Sequence, residues 1–224
     1  MKNKIIQGDC LEVMKDIPDK SIDLVLTDPP YELDNCGKNS FLSPTITKIT
    51  EGIKDIKDGF DEALWFEEIK RVCKKVNCFI FCSNKQITKI MKLGEENGYF
   101  TTLLIWHKSN STPFCFNVWR GDCEYCIHIR ESGAYFEGNA QIKKKVTTLP
   151  MNNDKFHPTV KPMALIQKYI LIGSKEGDLV LDPFVGSGTT AVACQNLKRN
   201  FIGIEKEEKY CEIARQRLRQ ITLI

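Results

Sequence analysis

The chain has 224 residues, 42% hydrophobic and 27% charged, with 32 Lys and Arg against 29 Asp and Glu for a net charge of +3. That length suits a single domain over 1–224 and the balance supplies a buried core. The slight positive excess is compatible with a nucleic-acid partner without demanding one. No stretch approaches the roughly 20 apolar residues that cross a bilayer, and no apolar leader of signal-peptide type is visible. Cys78, Cys82, Cys194 and Cys211 sit in apolar runs, where a free thiol behaves as a small hydrophobe. The expected setting is therefore reduced and cytoplasmic, with no membrane partner.

In chain order, Lys4–Gln7 reads as a strand that ends at Gly8-Asp9, followed by a helix over 10–16 with Leu11 and Met14 on one face. A second strand over 22–27 stops at Asp28-Pro29-Pro30-Tyr31, because two prolines cannot donate to a ladder. Residues 32–59 break into polar, patternless sequence. Beyond them come a helix over 60–72, a buried strand over 78–82 and a helix over 85–96 closed by Asn97-Gly98. Strands are predicted over 99–107 and 124–130, the second with Tyr125, Ile127 and Ile129 on one face. Residues 108–122 and 132–153 read as irregular.

The last third is a helix over 161–172 opened by Pro162, a strand over 179–181, a glycine-rich loop into a helix ending near Arg199, a strand over 201–204 and a helix over 207–218. Strands alternating with helices predict an α/β fold: a mostly parallel sheet covered on both faces.

In such sheets ligands bind at the carboxyl ends of the strands. Gly186-Ser187-Gly188 lies at one such end and opens a helix, so its amides can approach a ligand closely. The spacing Gly186-x-Gly188-x-x-Ala191, with Glu205 closing the next strand, matches a dinucleotide fingerprint in which the acid accepts ribose hydroxyls. The glycines alone also fit a plain tight turn. The fingerprint fits a nicotinamide and an adenosyl-sulfonium cofactor alike, and Asp182 tilts the choice to the second: a carboxylate inside the loop repels a pyrophosphate and tolerates a cation. No Lys-Ser/Thr follows the second glycine, which excludes a phosphate loop of that type.

Asp28-Pro29-Pro30-Tyr31 follows a buried strand and faces the same crevice. The prolines stiffen the turn, so that Asp28 and the Pro29 carbonyl become fixed acceptors beside an aromatic ring. Two such acceptors suit an exocyclic amine, whose lone pair is otherwise delocalised, and Tyr31 suits stacking on a base removed from its helix. A surface turn is the bland reading of the same residues.

Together these motifs resemble the β-class DNA amino-methyltransferases, in which the catalytic segment precedes the cofactor loop in a circularly permuted order. The resemblance covers most of the chain. It implies a Rossmann-like seven-stranded methyltransferase sheet with the strand over 124–130 antiparallel, and S-adenosylmethionine as cofactor. It implies catalysis by Asp28, Pro29, Pro30 and Tyr31. It further implies cofactor contacts from Asp28, Asp182, Phe184, Gly186, Ser187, Gly188 and Thr189, a ribose contact from Glu205, and an adenine contact from the segment with Asp9 and Cys10. His157-Pro158-Thr159-Val160-Lys161-Pro162 resembles a further family motif, with Lys161 near the cofactor's carboxylate. Trp106-His107-Lys108 and Glu124-Tyr125 resemble lesser strand motifs.

Aspartate at position 28 implies N6 of adenine in double-stranded DNA, methylated by direct in-line transfer after base flipping, in a restriction-modification setting. N4 of cytosine is the alternative, and a nicotinamide oxidoreductase or a non-enzymatic DNA-binding module are the readings from other classes. Target-recognition loops are expected at 32–59, 109–122 and 132–156; their small size is compatible with a homodimer, which is common in the family. No metal is expected, because strand alternation separates Cys123 and Cys126 onto opposite faces. Lys143-Lys144-Lys145 reads equally as a phosphate contact or a solvated loop, and His107 and His128 as structural.

Overall fold

A computed structural model describes residues 1–30, 61–111, 119–151 and 161–221. Its elements are β1 (Lys4–Gln7), α1 (Cys10–Met14), β2 (Leu24–Thr27), α2 (Glu62–Val72), β3 (Asn77–Cys82), α3 (Ile87–Glu96), β4 (Phe100–Lys108), β5 (Cys123–Arg130), β6 (Val146–Leu149), α4 (Met163–Gly173), β7 (Leu179–Asp182), α5 (Thr189–Asn196), β8 (Asn200–Glu205) and α6 (Glu208–Ile221). Every strand joins one sheet in the order β1-β8-β7-β2-β3-β5-β4-β6. All neighbours pair in parallel except β5, which runs antiparallel to both β3 and β4.

The α/β class and the single antiparallel strand match the sequence expectation. The count does not: seven strands were expected and eight form among the described residues. The extra one, β6, lies inside the stretch read as irregular. Its sequence, Val-Thr-Thr-Leu, carries no apolar alternation, because β6 is an edge strand paired only with β4 and half exposed. Burial on neither face imposes a pattern there.

Alternation along the strands sends side chains into two cores. Leu24, Leu26, Phe79, Phe81 and Val180 meet Leu165, Ile166, Tyr169 and Ile170 of α4, with α5 and α6 beside them. Val25, Cys78, Ile80, Cys82 and Leu181 meet Trp65, Phe66 and Ile69 of α2, with α1 and α3 alongside. The result is three layers, with the central strands buried on both faces.

One polar cluster ties the first core to the sheet. Asn77, fully buried, donates from Nδ2 to the carbonyls of Tyr135 and Gly173, both at 2.9 Å. Its Oδ1 must then accept, so His128 Nε2 at 3.0 Å is the donor and the imidazole is neutral. His128 stacks on Phe79 with ring centroids 4.0 Å apart. Burial, and next the charge of Arg130, push its pKa down to about 3.

Asn77→Ala strands two carbonyls and an imidazole N–H in the core, and should cost about 2–4 kcal/mol in urea unfolding. For His128 the unfolded chain takes up a proton near 6.5 and the folded chain only near 3. Stability should therefore fall as pH drops below 6.5, with His128 contributing about 1.4 kcal/mol per pH unit until its folded pKa is reached. His128→Gln should remove that part of the slope between pH 6.5 and 4.5; an unchanged slope would show that the imidazole titrates normally.

Candidate active site

Because β1, β8, β7, β2, β3, β4 and β6 share one direction, their carboxyl ends line a single edge, where β5 begins. The strand order places β7 beside β2 in the middle of the sheet, so Asp182 and Asp28 close neighbouring strands. Asp28 and Asp182 have different surroundings. Asp182 is 5% exposed and its Oδ1 accepts from Phe184 N at 3.1 Å. Burial pushes its pKa up to about 7, against the hydroxyls of Thr190 and Thr27 and the Phe184 amide, while the nearby Asp28 charge pushes the same way as burial. Asp28 is a third exposed and meets a cation: Lys161 Nζ lies 2.5 Å from its Oδ2.

Lys161 is itself buried and lies 3.1 Å from Glu124 Oε2, and Glu124 Oε1 lies 2.8 Å from Lys108 Nζ. Burial opposes the charge on Lys161, but Asp28 and Glu124 outweigh it and hold the pKa above the ordinary lysine value. Burial likewise opposes the Glu124 carboxylate, and Lys161 with Lys108 bring its pKa below the usual range. The apolar walls are aromatic: Lys161 Nζ stands 5.0 Å from the Phe81 ring centroid and Lys108 Nζ 5.5 Å from that of Trp106.

The turn after Asp28 is fixed by a residue that the sequence reading passed over. Gln86, 2% exposed, donates from Nε2 to the Pro30 carbonyl at 3.2 Å. Its Oε1 accepts from Ser83 N at 3.2 Å and Ser83 Oγ at 2.9 Å. In sequence Gln86 lies in an ordinary polar stretch. Its position just beyond the end of β3, on the crevice edge, was the only available signal.

In the glycine loop, Gly186 (φ 51°) and Gly188 (φ 88°) occupy the left-handed region. A Cβ on Gly188 would come within 2.7 Å of the Ala214 Cβ, so that glycine lets α5 start against α6. Glu205 accepts from Gly186 N at 3.0 Å and from Glu207 N at 2.9 Å. Burial nonetheless raises its pKa above the usual carboxylate range. Arg217, also missed, donates from Nη1 to the Ser187 carbonyl at 2.7 Å, to Ser187 Oγ at 3.0 Å and to Thr189 Oγ1 at 3.3 Å. Phe184 faces Trp65 with centroids 6.1 Å apart.

At the neighbouring strand end, Gly8 N donates to the Glu205 carbonyl at 2.9 Å and Asp9 caps α1 by accepting from Leu11 N at 3.0 Å. Cys10 is buried, and burial followed by the Asp9 charge pushes its thiol up to about 12, so the thiol is neutral. Cys126 is buried in the first core and Cys123 is half-buried at the start of β5.

One edge thus gathers Asp9, Cys10, Asp28, Pro29, Pro30, Lys161, Asp182, Phe184, Gly186, Ser187, Gly188, Thr189 and Glu205. Tyr31, residues 157–160, the stretch 32–59 and parts of 109–122 and 132–156 lie outside the described residues. Among the described residues, no helix is long and apolar enough to cross a membrane.

A family model described as DNA methylase matches residues 22–216. The type II methyltransferase M.HinfI of Haemophilus influenzae is 33% identical over 98% of this chain and 69% of its own length. The type II methyltransferase M2.MboI of Moraxella bovis is 30% identical over 97% and 88% respectively. Among solved structures, the M1.HpyAVI–SAM complex superposes with a TM-score of 0.71 at 32% identity, covering 96% of this chain and 98% of that one. The cytosine-N4-specific PvuII DNA methyltransferase, at 18% identity and a TM-score of 0.74 over 95% and 85%, shares the fold. Its sheet, its motif order and these relatives place the chain in the DNA methylase family.

Proposed function

We propose that this chain is an S-adenosylmethionine-dependent DNA methyltransferase that methylates an exocyclic amine, N6 of adenine. The observation that carries the reading is the pair of carboxylates, Asp28 and Asp182, on adjacent strand ends at the point where the chain leaves the centre of the sheet in both directions. Ligands of open α/β sheets bind at such a point.

The donor set fits the cofactor. Asp182 is a buried carboxylate that a neighbouring cation would relieve, which suits an α-ammonium and a sulfonium and opposes the pyrophosphate of a nicotinamide. Gly186, Gly188 and Asp182 would hold the methionine part, Glu205 the ribose, and Asp9 with Cys10 the adenine side. When bound, the cofactor supplies an electrophilic methyl group. The target amine is a weak nucleophile, and the residues that act on it are Asp28 and Pro29. The Asp28 carboxylate and the Pro29 carbonyl accept its two N–H bonds, which favours a tetrahedral nitrogen with an available lone pair. As the N–C bond forms that nitrogen gains positive charge, which Asp28 offsets until the surplus N–H proton is lost to solvent; the electron pair of the bond broken at the methyl group would stay on the cofactor's sulfur. Tyr31 would stack on the flipped base.

The assignment of adenine rests on aspartate as the first residue of the segment, and cytosine N4 is the second reading. The segments 32–59, 109–122 and 132–156, the last of which includes the edge strand β6, would contact DNA, and recognition segments so short suit a homodimer in the cytoplasm.

Incubation with tritiated S-adenosylmethionine and unmethylated genomic DNA, followed by nucleoside chromatography, should put label in N6-methyladenine. Label in N4-methylcytosine would correct the base and leave the mechanism. Asp28→Ala should lower turnover by about 1000-fold or more while the cofactor dissociation constant changes by less than about threefold; near-normal turnover would refute the role of Asp28.

Cofactor binding should also depend on pH through Asp182. Below about 7 that carboxyl is protonated in the free protein, and a cationic ligand favours its ionised form. Binding then releases a proton, so calorimetry should show affinity rising by up to about tenfold per unit from pH 5.5 to 7. Asp182→Asn should bind weakly and without that slope; a flat wild-type profile would contradict this.

A further inference from the structure

A buried lysine side chain is costly unless carboxylates face it. Lys161 is the one buried lysine or arginine among the described residues. Its Nζ is 2.5 Å from Asp28 Oδ2 and 3.1 Å from Glu124 Oε2, and the other oxygen of Glu124 is 2.8 Å from Lys108 Nζ. Four charges of alternating sign therefore form a row drawn from four places in the chain: the turn after β2, the residue two before α4, the start of β5 and the end of β4.

The order of the row matters for an acceptor of an amine. An ammonium next to Asp28 cancels the charge that has to offset a nitrogen turning cationic. Glu124, on the far side of Lys161, offsets that ammonium in turn. Lys161 engages Oδ2, and a carboxylate accepts on both of its oxygens, so one can be anchored while the other receives an amine N–H. The anchoring also fixes the carboxylate's rotation, which matters because a misplacement of about 1 Å can cost about 100-fold in rate. The ion pairs of Nζ with Asp28 and Glu124 give Lys161 a task toward the acceptor besides the one the family resemblance implies toward the cofactor's carboxylate.

We propose that Lys161 is a positioning residue for methyl transfer, orienting the Asp28 carboxylate toward the target amine, and that Glu124 acts through Lys161 to leave the acceptor its charge. The inference rests on the amine-methylation reading above.

The test compares the full-length wild type with Lys161→Met, Lys161→Arg, Glu124→Gln and the double variant Lys161→Met/Glu124→Gln. Cofactor dissociation constants come from calorimetry, kcat from saturating cofactor and DNA, and folding from thermal melts. Lys161→Met should lower kcat by about 100-fold with cofactor affinity within about threefold of wild type, and Lys161→Arg should recover part of that loss. Glu124→Gln should lower kcat by about tenfold, and the double variant should be no slower than Lys161→Met, because Glu124 has no route to Asp28 once the ammonium is gone. If Lys161→Met does not fold, Glu124→Gln and Lys161→Arg carry the same split between kcat and affinity.

Cofactor affinity weakened tenfold or more with kcat intact at saturation would overturn the proposal in favour of a cofactor contact. Multiplicative losses in the double variant would overturn the coupling. A wild type that transfers no methyl group would fail the underlying reading, and the inference with it. A wild type that turns over alongside variants with unchanged kcat would fail the inference alone.

Discussion

The structure depends on where the sheet puts two carboxylates. β2 and β7 are sequence-distant strands that pair in the middle of the sheet, each followed or closed by an aspartate. Carboxylates on adjacent strand ends repel, and the fold separates their fates by environment. Asp182 goes under the glycine loop, where hydroxyls and an amide surround it and burial favours the protonated form. Asp28 stays at the rim and takes a lysine. The same residue type on the same edge thereby stands in two states, one a buried carboxyl held toward its neutral form and the other a rim carboxylate facing an ammonium.

Much of that was legible in the sequence. Buried parallel strands advertise themselves as short apolar runs, and the residues at their carboxyl ends must face the crevice. Asp28, Asp182, the glycines and Glu205 could thus be placed from strand ends and spacing alone. The strands that escaped, or were mis-bounded, lack that pressure. β6 is a half-exposed edge strand whose Val-Thr-Thr-Leu has no periodicity to read. Asn77 lies outside the apolar run 78–82 that marks the third strand, yet it is fully buried there, its side chain bonded to distant backbone and to His128.

The less legible part of the site consists of residues whose roles are set by partners far away in the chain. Gln86 braces Pro30 across 56 positions, Arg217 braces Ser187 across 30, and Lys161 reaches Asp28 across 133. No local pattern encodes such pairs. Lys161 was singled out from its motif, but its contact with Asp28 emerges only when β2, β5 and α4 are brought to one edge.

The order of the strands also has a consequence for how the chain is made. Among the described residues β1 lies at the rim of the sheet and pairs only with β8, and one flank of β2 is covered only by β7. Synthesis proceeds from the amino end, so both early strands wait for residues 179–205 before their ladders can close. Until then the nascent chain carries unpaired strand edges, which are sites of mispairing. The edge that carries Asp9 and Glu205 alike cannot take shape before residues 200–205 have been made, and a chain truncated before β8 would lack the partner that β1 requires.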